Sequence, residues 1–163
     1  MVDLALAKQH LEYEADDRDD LILQYIASAA AWVEGYTGLL LTRRQATIQF
    51  DDGLRWLDLP VGPDPEIDAI TYLDSDFVQQ EMAIEDYALV GKRVYPLTSF
   101  PSAPYGLSVA VTAGYVDDTP ADLLNAQLLL IGEYFANREV GSASPSVAAA
   151  VESLCRPYRS LLV

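Results

Sequence analysis

The chain has one cysteine, Cys155, and one histidine, His10. A single thiol excludes an internal disulfide and fits a reducing compartment. A single imidazole means that any Ser-His-Asp or Cys-His site would have to be built on His10, in a short N-terminal helix. The G-x-S-x-G turn that would present a nucleophile is absent. So are the phosphate cradles G-x-x-x-x-G-K-[ST] and G-x-G-x-x-G, and the nine glycines fall singly at turn positions. Bases are scarce, 10 against 25 acids, for a net charge of −15. So negative a chain repels phosphate, which argues against reading nucleic acid with a basic patch and against an anionic membrane surface. No apolar run approaches the roughly 18 residues of a bilayer span. The nearest, "LLNAQLLLIGEYF", is broken by Asn125, Gln127 and Glu133. The opening "MVDLALAKQH" lacks the basic-then-apolar order of a secretory signal.

What is present suits one domain of ordinary size with a real core: 163 residues, 51% hydrophobic and 21% charged. The acid is uneven. Residues 51–90 hold eleven acids and one base, Arg55, a net of −10, while the remaining 14 acids and nine bases give −5.

Periodicity divides the chain into three stretches. Asp3 is placed to cap a short helix carrying Leu4, Ala7 and Leu11. Leu21, Ile22, Tyr25, Ile26, Ala29, Ala30, Val33 and Tyr36 form the apolar face of a long second helix that Gly38 stops. The period then changes. "ATIQF" (46–50) and "LRWLDL" (54–59) read as a hairpin about "DDG". Strands follow at 67–73, in "VQQEMAI", "YALV" and "RVYP", and at 107–116, with proline-rich loops "PVGPDPE" and "SFPSAPYG" between them. The helical period returns with Thr119 as N-cap, Pro120 at N1 and Asp122 at N3, and a stripe of Leu124, Leu128, Ile131, Phe135 and Arg138. After "GSASPS" a last helix is capped by Ser144, opened by Pro145, and carries Val147, Val151, Leu154 and Cys155. The expected fold is α+β. A helical body of two N-terminal and two C-terminal helices (1–42 and 118–163) carries an inserted β-rich lobe (43–117), within a single domain 1–163.

Three groups of residues invite a chemical reading. "EADDRDDLI" (14–22) has the acid density of a cation site, but an EF-hand register fails at Arg18 and Leu21. Helix capping by Asp17 and Asp20, with Asp19 in the first turn, accounts for it more simply. The acid pairs Asp51–Asp52, Asp74/Asp76 and Asp117–Asp118 sit where turns and helix starts favour aspartate. Arg138, Arg156 and Arg159 lie near helix C-termini, where bases complement the dipole. Together with Tyr158 they also have the composition of an interface anchor. Cys155 falls on an apolar stripe, as a buried structural thiol does. No catalytic set, cofactor or metal site is expected.

Several stretches, in order, resemble the phage head–tail connector (adaptor) proteins of long-tailed phages and gene transfer agents. These are "LALAKQHLEYEADDRDDLILQYIASAAAWVEGYTGLLL", "LDLPVGPDPEIDAITYLDSD", "VAVTAGYVDDTPADLLNAQLLLIGEYFANRE" and "VESLCRPYRSLLV". The acids after the proline loop and Cys155 depart from the usual pattern. The resemblance implies a structural virion protein, not an enzyme. It implies a homo-oligomeric, dodecameric ring at the head–tail junction, assembled in the host cytoplasm. Its partners would be the portal protein and a tail-side stopper, with DNA passing through without sequence-specific binding and no membrane contact. Arg138, Arg156, Tyr158, Arg159, Leu161 and Leu162 are the candidate contacts with portal or neighbouring subunit. Two readings of other classes stay open: an acidic DNA mimic that fills a basic protein groove, supported by the −10 segment, and a metal-dependent hydrolase using the aspartates.

Overall fold

A computed structural model describes residues 1–51, 53–103, 105–137 and 144–159. The fold is α+β and, among the described residues, divides into two compact units, one of 1–41 with 117–137 and 144–159, the other of Thr42–Val116.

In the first unit, α1 (Leu4–His10) begins at Asp3, whose carboxylate accepts from the Leu6 amide at 2.8 Å. α2 (Asp19–Thr37) buries Ile22, Ile26, Ala29, Ala30 and Val33 and ends at Gly38, which takes the left-handed conformation at φ 71°. α3 (Ala121–Ala136) and α4 (Pro145–Cys155) complete it, with α3 packed against both α2 and α4. Alanines 29 and 30 let the helices approach closely. The two helical ends of the chain therefore pair, because each has an apolar stripe that needs a helical partner.

The buried line of α3 is rotated from the expected stripe. It runs through Leu123, Ala126, Gln127, Leu130 and Ile131, with Leu124, Leu128 and Phe135 half-buried at its edge. Gln127 is fully buried yet satisfied: its Oε1 accepts from the Val2 amide at 3.3 Å and its Nε2 donates to the Leu123 carbonyl at 3.1 Å. Neither Thr119 nor Ser144 caps by side chain. Thr119 Oγ1 accepts instead from the Met1 amine and donates to the Leu41 carbonyl, and the residue before α3 is Pro120.

The second unit holds two antiparallel sheets. One has the order β1 (Arg44–Phe50), β7 (Leu107–Ala113), β3 (Glu66–Leu73), β4 (Gln79–Glu81), and the other β2 (Leu57–Asp58), β6 (Arg93–Pro96), β5 (Tyr87–Val90). The expected hairpin of 46–50 with 54–59 does not form. β1 pairs with β7, Ile48 opposite Val109, while β2 pairs with β6, Leu57 opposite Val94. β7 is the central strand and shows strict alternation, with Leu107, Val109, Val111 and Ala113 buried. Leu57, Leu59, Ile70, Met82, Val94 and Ala103 close the same core. A register shift between Ile67 and Ala69 marks a bulge in β3.

Candidate functional site

The acidic run between α1 and α2 already contains its cation. Lys8 Nζ, from α1, lies 2.6 Å from Asp16 and 2.8 Å from Asp19. The hydrogen bond to Asp16, then that to Asp19, raises the ammonium above its ordinary pKa, and Lys8 holds Asp16 below the usual carboxylate range. Tyr13 donates its hydroxyl to Asp17, which pushes the Tyr13 phenol up. Arg18 stands 5.3 Å from the Tyr13 ring centre and 5.9 Å from that of Phe135.

Asp17 therefore does not cap α2. The residue before the helix is Arg18, with no side-chain cap, while Asp19 and Asp20 occupy the first turn and meet the dipole. Of the carboxylates expected at the cap, Asp17 accepts from Tyr13 instead, and Asp20 stands in the first turn. An open groove of about 890 Å³ runs beside this turn, lined by Leu4, Lys8, Glu12, Tyr13 and Asp16 among others. Among the described residues, no group of three or more His, Cys, Asp or Glu is placed to hold a metal ion.

The candidate contact residues gather at the other end of α4, where Arg156–Tyr158 form a single 3₁₀ turn. Arg156 and Arg159 are exposed. Tyr158 donates to Asp122 Oδ2 at 3.3 Å, and loss of solvent together with that carboxylate raises its pKa. Arg159 lies 5.4 Å above the Tyr36 ring, and Tyr36 stacks on Trp32 with centroids 5.2 Å apart and planes within 8°. The result is a ledge in which Arg159 covers the stacked Tyr36 and Trp32 of α2, with Arg156 and Tyr158 beside it in the chain. Arg138, Leu161 and Leu162 lie outside the described residues.

Sequence reading assigned no site role to Trp32 and Tyr36. Their signal was the i, i+4 spacing of two aromatics, which stacks them on one face of α2. Cys155 is buried with its thiol pushed up to about 11 by loss of solvent, so it packs rather than reacts. His10 is exposed in the last turn of α1.

Residues 1–61 match the model of the phage gp6-like head-tail connector proteins, the family that the sequence resembles. Among solved structures, the chain is similar to a protein in the neck of an empty gene transfer agent particle computed with C6 symmetry: TM-score 0.82, 25% identity, 99% of this chain and 91% of that one covered. It is similar also to one in the virion of a native gene transfer agent particle (TM-score 0.80, 27% identity, coverage 99% and 91%). A third is in a native neck computed with C12 symmetry (TM-score 0.79, 25% identity, coverage 98% and 89%). No curated protein matches the sequence. Family and neighbours are structural connector proteins of phage and phage-like particles, not enzymes.

Proposed function

We propose that this chain is the subunit of an adaptor ring between the capsid portal and the tail-side stopper, at the head–tail junction of a virion or phage-like particle. The observation that carries the reading is the full-length likeness to gene transfer agent neck proteins. The twelvefold symmetry of one of those necks supports a ring of twelve. A net charge of −15 suits a wall past which DNA slides without adhering.

In this reading the ledge of Arg156, Tyr158 and Arg159, backed by Trp32 and Tyr36, docks on the portal or on the neighbouring subunit, together with Arg138, Leu161 and Leu162. Arginine and aromatic side chains are the usual anchors of such contacts. Removing residues 145–163 is too blunt a test, because Val151 and Cys155 are fully buried and belong to the core. The double variant Arg156→Glu/Arg159→Glu changes the surface alone. It should melt like the parent and fail to complete portal-bearing heads; normal yields of complete particles would refute the docking assignment.

The acidic segment 51–90 also motivates the DNA-mimic reading. Mass measurement with purified portal separates the two. A connector gives a high-order ring with portal, whereas a mimic ignores portal and forms small complexes with a basic nuclease or repressor.

A further inference from the structure

The tip of the β3–β4 hairpin breaks two rules of surface design. Phe77 is 66% exposed, Val78 52% and Tyr105 52%, and the Phe77 and Tyr105 rings stack with centroids 4.5 Å apart. Phe77 also sits in the left-handed region, at φ 61°, where an aromatic side chain is rarely found and glycine or asparagine would serve the turn better. The strained shape is held firmly. Asp74 Oδ1 accepts from the amides of Asp76 at 2.9 Å and Val78 at 3.0 Å, and its Oδ2 accepts from Gln80 Nε2 at 3.0 Å. The backbone closes the same loop, with the Phe77 amide on the Asp74 carbonyl and the Asp74 amide on that of Val78, both at 3.1 Å. A rigid, exposed aromatic adds little to folding but loses little freedom on binding.

The surroundings define what it binds. Residues 66–81, the whole hairpin, contain five acids and no base. DNA is excluded by that charge. A second copy of this chain is a poor fit, because its net charge of −15 repels an acidic hairpin. We infer that this tip is a preformed docking knob, Phe77 and Val78 backed by Tyr105, which seats in an apolar socket rimmed by lysine or arginine on a different protein of the particle. The inference rests on the connector reading and adds to it a second contact surface, on the β-rich unit.

The test places photoreactive benzoylphenylalanine at position 77 of the full chain, in assembled particles, and identifies the crosslinked peptides. A crosslink to a Lys- or Arg-bearing segment of another particle protein is expected. Crosslinks confined to copies of this chain, crosslinks to DNA, or none at all would overturn the knob. Phe77→Gly removes the side chain and relieves the backbone, so it should fold at least as well as the parent and still enter particles. Yields of complete particles should drop about tenfold or more, the size of a lost anchor residue. Wild-type yields from Phe77→Gly sink the knob and leave the connector reading standing. Absence of the wild-type chain from purified particles sinks both.

Discussion

Asp3 holds the Leu6 amide at 2.8 Å, so Asp3→Ala should lower stability by about 1 kcal/mol in urea unfolding. Asp17→Ala should do much less, because Asp17 meets only surface partners, the Tyr13 hydroxyl and Arg18 at 4.0 Å, and caps nothing; a loss equal to that of Asp3→Ala would show that Asp17 does cap. Acidification tests the Lys8 cluster. Asp16, Asp58 and Asp74 are held below the ordinary carboxylate range, chiefly by Lys8, Arg93 and Gln80 respectively. Their stabilisation is complete above the unfolded value, about 3.9, and is lost as pH falls through the folded values. The Lys8 contribution runs the other way, present at neutral pH and lost as alkali passes its raised pKa. Tm should therefore fall from about pH 5 to about pH 2, and less steeply in Lys8→Met, by a modest margin because Asp16 is solvent-screened. An identical slope in the variant would remove Lys8 as a cause. Much at this scale was unreadable beforehand. The density of Asp16, Asp17, Asp19 and Asp20 shows in one dimension, but their partners Lys8 and Tyr13 are fixed only once α1 folds back. Gln127 reads as an interruption of an apolar run, yet it lies in the core because a glutamine can satisfy both Val2 and Leu123.

Helices were legible because their signal is local: the period of α2, the Asp3 cap and the Gly38 stop need no distant partner. Strands were legible as strands but not as pairs. Alternation in 46–50 says that one face is buried, and nothing nearby says that its partner is β7, some sixty residues later. The "DDG" turn suggested a hairpin that non-local pairing overrode. A close approach at each end of β7 permits the β1–β7 pairing: at Gly106 a Cβ would meet the Phe50 carbonyl, and at Gly114, at φ 118°, it would collide with the Thr42 carbonyl and lie 2.9 Å from Arg43 Cα. Gly114→Ala should cost about 1–3 kcal/mol in denaturant midpoint. Gly53→Ala is the control: it is also left-handed, at φ 77°, but has nothing within 4 Å of the missing Cβ, so only the backbone preference of about 1 kcal/mol is at stake. Equal losses at the two glycines would mean that the close approach at Thr42 is not rigid.

For the whole molecule, composition excluded more than it assigned. One histidine, one cysteine and scattered glycines left no catalytic constellation, and the order of motifs pointed to the connector family. The ledge was half legible: Arg156, Tyr158 and Arg159 stand out in "RPYR", while Trp32 and Tyr36 join them only through α2–α4 geometry. The knob at Phe77 was not legible, because "LDSDFVQQ" reads as an ordinary turn until its φ angle and exposure are known.

The two ends of the β-rich unit meet. The Arg43 amide donates to the Tyr115 carbonyl at 2.9 Å, and Arg44 lies opposite Ala113 in the ladder. A segment that enters and leaves through neighbouring residues is a cassette. Replacing 43–115 by a short Gly-Ser bridge should leave a helical protein that still melts cooperatively by circular dichroism; a molten or aggregated product would show that the helices need the insert. If the bridge is tolerated, so is exchange. The lobe of a homologous chain can then be grafted in one recombination step, so that the surface of the β-rich unit changes while the helical core is inherited unchanged.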